Sequence, residues 1–184
     1  MTPPSRMFLV RHGESEWNRR GLIQGQSMAA PGLSATGVAD SVAAAGRLAG
    51  SGVQLVVASD LRRATETAAL IAAELVVPLR AEPRLRERNL GTIEGRPGAV
   101  VGGGETGVGA GAVAEADARP AGGESLREVY DRIAGLLEEM AADPPAECYV
   151  LVSHGGPIRM ARAYFAGEPV DSILWAHKAP SGWG

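Results

Sequence analysis

Residues 7–18 read Met-Phe-Leu-Val-Arg-His-Gly-Glu-Ser-Glu-Trp-Asn. A short apolar run that turns polar at Arg-His-Gly predicts a buried strand over Met7–Val10, with Arg11 and His12 delivered at its carboxyl end. The pattern recurs twice. Gln54–Ala58 leads into Ser59-Asp60-Leu61-Arg62-Arg63. Cys148–Val152, rich in β-branched and aromatic residues that suit strands, leads into Ser153-His154-Gly155-Gly156. Helical patterns fill the space between: Ser34–Leu48 and Leu61–Leu75, both Ala-rich, then Glu124–Met140 and Ile158–Phe165. In the third of these Leu126, Val129, Ile133, Leu136 and Leu137 form an apolar stripe, and Pro157 suits the first turn of the fourth. Strands alternating with helices imply right-handed crossovers. The expected fold is therefore an α/β three-layer sandwich, a mostly parallel central sheet covered by helices on both faces.

Bulk properties narrow the function. At 184 residues, with no internal repeat and no linker, the chain is expected to form a single domain over 1–184. A net charge of -3, with scattered arginines, argues against nucleic-acid or membrane-surface binding, which needs clustered excess cations. Cys148 is the sole cysteine and lies in an apolar run, so it reads as a small buried hydrophobe. It permits no intrachain disulfide and no thiolate zinc cluster. The apolar run near the N-terminus is too short for a signal peptide, and no stretch approaches a membrane span, so the cytoplasm is the expected location. One segment, Pro97–Gly123, is dominated by Gly and Ala without either period, and reads as a loop or poorly formed helix. It is either a surface insertion or a lid over a site.

Ligands of open α/β sheets bind beyond the carboxyl ends of the strands. Two of the chain's three histidines, together with several arginines, fall on that edge. Arginine offers a planar fork of donors matched to phosphate oxygens. Glycines beside the histidines let backbone N–H groups approach an anion, and a helix start adds its positive dipole end. A neutral imidazole in such a field is a competent nucleophile toward phosphorus. Turning over the phosphohistidine requires a carboxyl group acting as acid and then base, for which Glu14, Glu87 and Glu94 are candidates. His177 stands alone and reads as incidental, and Trp17 either walls the pocket or packs behind the phosphate loop.

At this point LVRHGESEWN resembles the signature of the histidine phosphatase superfamily, in the branch that contains the cofactor-dependent phosphoglycerate mutases. SDLRRATETA, LRERNLGTIEG, GGESL and VLVSHGGPIR are similar to its later blocks, in order and over nearly the whole chain. The resemblance implies that His12 attacks phosphorus and that Arg11, Arg63 (rather than Arg62) and His154 hold the phosphoryl oxygens. It further implies that Glu87 is the proton donor, that Asn18 and the Gly155 N–H add hydrogen bonds, and that Gln24 and Gly25 lie near the substrate. No metal and no cofactor are implied.

The chain departs from the family pattern in two places. After IQGQ it continues SMAAPGLS, longer than usual and without the usual acidic residue, and the Gly-rich segment replaces a region that is usually helical. Both departures bear on the substrate rather than the reaction. Three readings follow. The first is hydrolysis of a small phosphorylated metabolite, preferred because a Gly-rich cover with Arg119 as its basic residue makes a poor cationic lid. The others are a phosphoglycerate-type mutase and a non-catalytic phospholigand-binding regulator. The partner expected is the small phosphorylated substrate, with a homodimer as the assembly contemplated.

Overall fold

The computed structural model describes residues 5–98 and 116–173. His177 and most of the Gly-rich segment lie outside the described residues. Four strands, β1 (Arg6–Arg11), β2 (Leu55–Ala58), β3 (Leu79–Ala81) and β4 (Cys148–Ser153), form one sheet in the order β1-β4-β2-β3, with every pairing parallel.

β4 lies at the centre and all six of its residues are buried. Because side chains alternate across a strand, it feeds both faces. Tyr149 and Leu151 join Val57 against α4 (Leu126–Ala142) and α5 (Gly155–Ala166), where Val129, Ile133, Leu136, Met140 and Met160 close one core. Val150 and Val152 join Val10, Val56 and Ala58 against α2 (Ala35–Leu48) and α3 (Arg62–Leu75). The second core is rich in alanine, with Ala64, Ala68 and Ala72 letting α3 lie close to the sheet and Ala45 of α2 packed in the same core. The three-layer expectation is met.

The differences from the sequence reading are local and have physical causes. β3 was not expected: its three residues are all exposed, so no apolar run marks it, and its pairing to β2 comes from main-chain hydrogen bonding at a sheet edge. The short helix α1 (Glu16–Arg19) is also new. It is too brief for a periodic signal and is set instead by a capping box between Ser15 and Asn18. The helix expected over Glu124–Met140 starts two residues later, because Ser125 caps it and Glu128 closes the box on the Ser125 N–H. The last helix starts at Gly155 rather than Ile158. Gly-Gly-Pro is a poor helix interior, but the first turn needs no intrahelical N–H bonds. No helix among the described residues is long and apolar enough to cross a membrane.

Candidate active site

The parallel register decides which strand ends meet. Arg11 pairs with Ser153, and Ala58 with Val152. One residue beyond the ladder, the His12 N–H still donates to Ser153 O at 2.9 Å and the Ser59 N–H to Val152 O at 3.0 Å. His12, Ser59 and His154 therefore leave the sheet side by side. The two imidazoles stand with ring centroids 5.0 Å apart, tilted by 58°.

His12 is buried, and its Nδ1 lies 2.7 Å from the carbonyl of Gly13. Since a carbonyl only accepts, Nδ1 carries the proton and Nε2 keeps its lone pair. Arg63 Nε donates toward Nε2 at 3.2 Å. Burial first, then the charge of Arg63 and more weakly that of Arg11, hold the His12 pKa well below 6.5, against an opposing pull from the Gly13 carbonyl. Gly13 is fixed in turn: its N–H donates to Thr67 Oγ1 at 3.0 Å, and a Cβ on it would lie 2.4 Å from the carbonyl oxygen of Gly37 in α2. No side chain fits there.

Arg63 and Thr67 share a face of α3, one turn apart, and Thr67 Oγ1 donates to the Arg63 carbonyl at 2.8 Å. Arg63 is 2% exposed, and its Nη2 donates to Gly25 O at 2.9 Å. Burial pulls its pKa down to about 10 despite the carboxylates of Glu87 and Glu94, so it remains a cation at neutral pH. Arg62, next on the helix, points to solvent and pairs with Glu66.

His154 is fully buried as the N-cap of α5. Its Nε2 lies 2.8 Å from Ser59 Oγ, and its Nδ1 is buried with no hydrogen-bond partner among the described residues. Burial, then the charges of Arg63, His12, Arg132 and Arg11, hold its pKa well below 6.5. Gly155 opens α5 beside the Arg11 guanidinium, which a Cβ at Gly155 would approach to 3.8 Å.

The three candidate carboxylates separate by what they touch. Glu14 accepts from Ser34 Oγ at 2.7 Å. Glu94 Oε1 accepts the N–H groups of Gln26 and Leu90, at 2.8 and 2.9 Å, and so ties two loops together. Glu87 alone reaches the start of α5: Oε2 accepts from Gly156 N–H at 3.2 Å and Oε1 from its neighbour Arg88 N–H at 2.8 Å. A Cβ at Gly156 would lie 2.3 Å from Glu87 Oε1, so the close approach requires glycine.

Asn18 spends its Oδ1 on Ser15 N–H at 3.1 Å, and the Gln24 side chain receives the Ser15 hydroxyl at 2.7 Å. Both therefore shape the turn behind His12, while Gly25 contributes its carbonyl to Arg63. Trp17 packs over Gly95, with Cη2 3.4 Å from where a Cβ would sit. Sequence reasoning missed Ser59 and Thr67 as partners of the histidine loop, although both lie in the SDLRRATETA block. It also missed Gln26, Arg88, Glu124 and Arg132, which surround Glu87.

A profile of the histidine phosphatase superfamily (branch 1) matches residues 7–181. The chain belongs to that superfamily. It is 37% identical over 153 residues to the probable phosphoglycerate mutase GpmB of Proteus mirabilis, covering 81% of this chain and 69% of the relative. It is 36% identical over 177 residues to the glucosyl-3-phosphoglycerate phosphatase of Mycolicibacterium vanbaalenii, covering 91% and 76%. Among solved structures it superposes on a mycobacterial glucosyl-3-phosphoglycerate phosphatase in complex with VO3, with a TM-score of 0.80, 32% identity, and coverage of 92% and 85%. The protein is thus an enzyme of the histidine phosphatase superfamily, a phosphomonoester hydrolase acting on small phosphorylated substrates.

Proposed function

We propose that the hydrolysis runs through a phosphohistidine on His12, and that Glu87 supplies and then recovers the proton. The observation that carries this reading is the buried His12 ring, whose Nδ1 is held by Gly13 so that Nε2 keeps its lone pair beside Arg63. In the first half-reaction the Nε2 lone pair forms a bond to phosphorus as the ester P–O bond breaks. The departing oxygen takes the proton of the Glu87 carboxyl group. Arg63, now donating to a phosphoryl oxygen instead of Nε2, acts with Arg11 and His154 on the charge spread over those oxygens. In the second, water attacks phosphorus, Glu87 takes its proton, and the P–N bond pair returns to Nε2 as inorganic phosphate leaves. The Gly155 N–H is expected to add a hydrogen bond to a phosphoryl oxygen, Gly25 acts through its carbonyl on Arg63, and Asn18 and Gln24 act through Ser15.

Two guanidinium groups at the site supply the positive charge that a metal would otherwise provide, so we expect the reaction to need no metal or cofactor. Among the described residues one sheet carries one site, which supports a single domain, and the cytoplasm remains the location we expect. For the substrate we favour an ester of the phosphoglycerate type, since both sequence relatives are named for that chemistry.

The experiment is a panel of phosphate monoesters, including 3-phosphoglycerate and sugar phosphates, assayed for released phosphate with and without EDTA. Turnover of at least one ester, unchanged by EDTA, is expected. Loss of activity on chelation, restored by magnesium or zinc, would contradict the metal-free mechanism. The mutase reading rests on the GpmB relative. It is checked by adding 2,3-bisphosphoglycerate to 3-phosphoglycerate and following 2-phosphoglycerate and phosphate together. Isomer forming much faster than phosphate is released from any ester would replace hydrolase by mutase.

A further inference from the structure

Glu87 sits on a stretch with no strand or helix of its own, between the 3-10 turns Pro83–Leu85 and Gly91–Ile93. Its position comes from other segments. The Glu87 carbonyl accepts Gln26 Nε2 at 2.8 Å and Arg132 Nη2 at 3.1 Å. Arg132, on α4, also donates Nη1 to the Arg84 carbonyl at 2.5 Å, so one guanidinium holds the chain on both sides of Arg86. The Glu124 carboxylate gathers the same donors: Oε2 accepts Asn89 N–H at 2.7 Å and Gln26 Nε2 at 3.1 Å, and Oε1 accepts Arg132 Nε at 3.1 Å. Arg88 is tied by its guanidinium to the carbonyls of Glu124 and Ala118.

The Glu124 and Arg132 side chains are only 24% and 17% exposed. Ion pairs withdrawn from water contribute little to stability, because desolvation offsets their attraction. This pair instead directs its hydrogen bonds onto main-chain atoms at Arg84, Glu87 and Asn89. We propose that Glu124 and Arg132, joined by Gln26, are positioning residues that hold the Glu87 carboxyl group at the leaving-group oxygen. The proposal rests on the reading of Glu87 as the proton donor.

A donor displaced from the leaving oxygen has a signature that general loosening of the fold lacks. Esters of acidic alcohols need little protonation as they depart, whereas esters of weakly acidic ones need it fully. The experiment uses the full chain and a series from p-nitrophenyl phosphate through phenyl phosphate to 3-phosphoglycerate. The readout is kcat/KM, which reports the phosphorylation half-reaction, against the pKa of the departing alcohol. The variants are Glu124→Gln, Arg132→Met and Gln26→Met, with Glu87→Gln as reference and thermal unfolding as the check on folding.

Glu87→Gln should steepen the dependence on leaving-group pKa. The three network variants should steepen it in the same sense, losing less than about threefold on p-nitrophenyl phosphate and roughly tenfold or more on phenyl phosphate. That is part of the roughly 10²- to 10⁴-fold a general acid supplies. Gln26→Met leaves no charge unpaired and carries the test if a charge variant does not fold. Equal losses on every ester, or an unchanged slope, in network variants beside a steep Glu87→Gln would overturn the positioning role alone. An unchanged slope in Glu87→Gln would overturn the proton-donor reading and this proposal with it.

Discussion

His12 and His154 occupy the ends of neighbouring strands, and the hydrogen bonds that set their spacing are extensions of the β ladder. Glu87, whose carboxylate meets the first turn of α5 at Gly156, has no such support. Apart from its own bonds to the Arg88 and Gly156 N–H groups, it is held at its carbonyl by the side chains of Gln26 and Arg132, while Glu124 anchors the Asn89 N–H two residues on. One half of the site is thus built by backbone register and the other by a side-chain network. Register is insensitive to most side-chain changes, so the nucleophile end can stay constant while loops vary. The proton-donor end can be retuned by single substitutions. This is a physical reason for substrate range to change on the Glu87 side and not at the histidines.

Substitutions in the register-built half should have the largest effects. His12→Asn should abolish turnover, by on the order of 10⁴ or more in kcat, with little change in thermal unfolding. Retention of more than a few per cent of activity would break the assignment of the nucleophile. Arg63→Met should cost roughly 10²- to 10³-fold in kcat by removing one donor to the phosphoryl group, while Arg62→Met should stay near wild type.

Two glycines sharpen the contrast directly. Gly13→Ala would drive a methyl group into the α2 backbone at Gly37, and should cost about 1–3 kcal/mol of stability along with activity. In Gly156→Ala the methyl group meets only the movable carboxylate of Glu87. That variant should keep its stability and lose activity selectively on esters with poor leaving groups. If both variants lost stability equally, the distinction between the two halves would not hold.

The pH dependence follows from the buried imidazoles. His12 is held well below its ordinary value of 6.5, so the acid limb of kcat/KM should lie well below pH 6.5. In the unfolded chain both histidines take up protons near pH 6.5, and in the folded chain they do so only at lower pH. The unfolded state therefore binds more protons in that window, and stability falls as pH drops from about 6.5 toward the lowered folded values. Above the window these groups contribute no slope. Urea midpoints at several pH values, compared with those of a His12→Asn/His154→Asn variant, check this: the variant should lose less stability on acidification.

The smallest effect is expected far from the site. Val76 ends α3 in the left-handed conformation, with φ 55, and is 89% exposed. A β-branched residue is strained there, so Val76→Gly should raise stability by about 1 kcal/mol without touching activity.

The sequence made β1, β2, β4 and the four long helices legible because each buries a continuous apolar run or stripe. β3 and α1 were not legible, since one is an exposed edge and the other rests on a single capping box. Within the site, His12 and His154 could be read from their places after strands, whereas Arg63 was separated from its neighbour Arg62 only by the resemblance to the family's second block. Glu14, Glu87 and Glu94 could not be told apart by spacing, because what separates them is whether each carboxylate meets Ser34, Gly156, or Gln26 and Leu90. Glu124 and Arg132 were hidden for a related reason. They are polar residues at the start and on one face of an amphipathic helix, where the usual reading is a solvated surface.

The central claim is that phosphate passes through the Nε2 atom of His12. It is tested by mixing the enzyme with excess substrate, quenching in alkali within milliseconds to seconds, and mapping phosphorylation by mass spectrometry under conditions that preserve phosphohistidine. The account predicts a phosphoryl group on His12 that forms and decays at rates compatible with kcat, and is absent in His12→Asn. Full turnover with no phosphorylated histidine, or label on another residue that persists in His12→Asn, would contradict it.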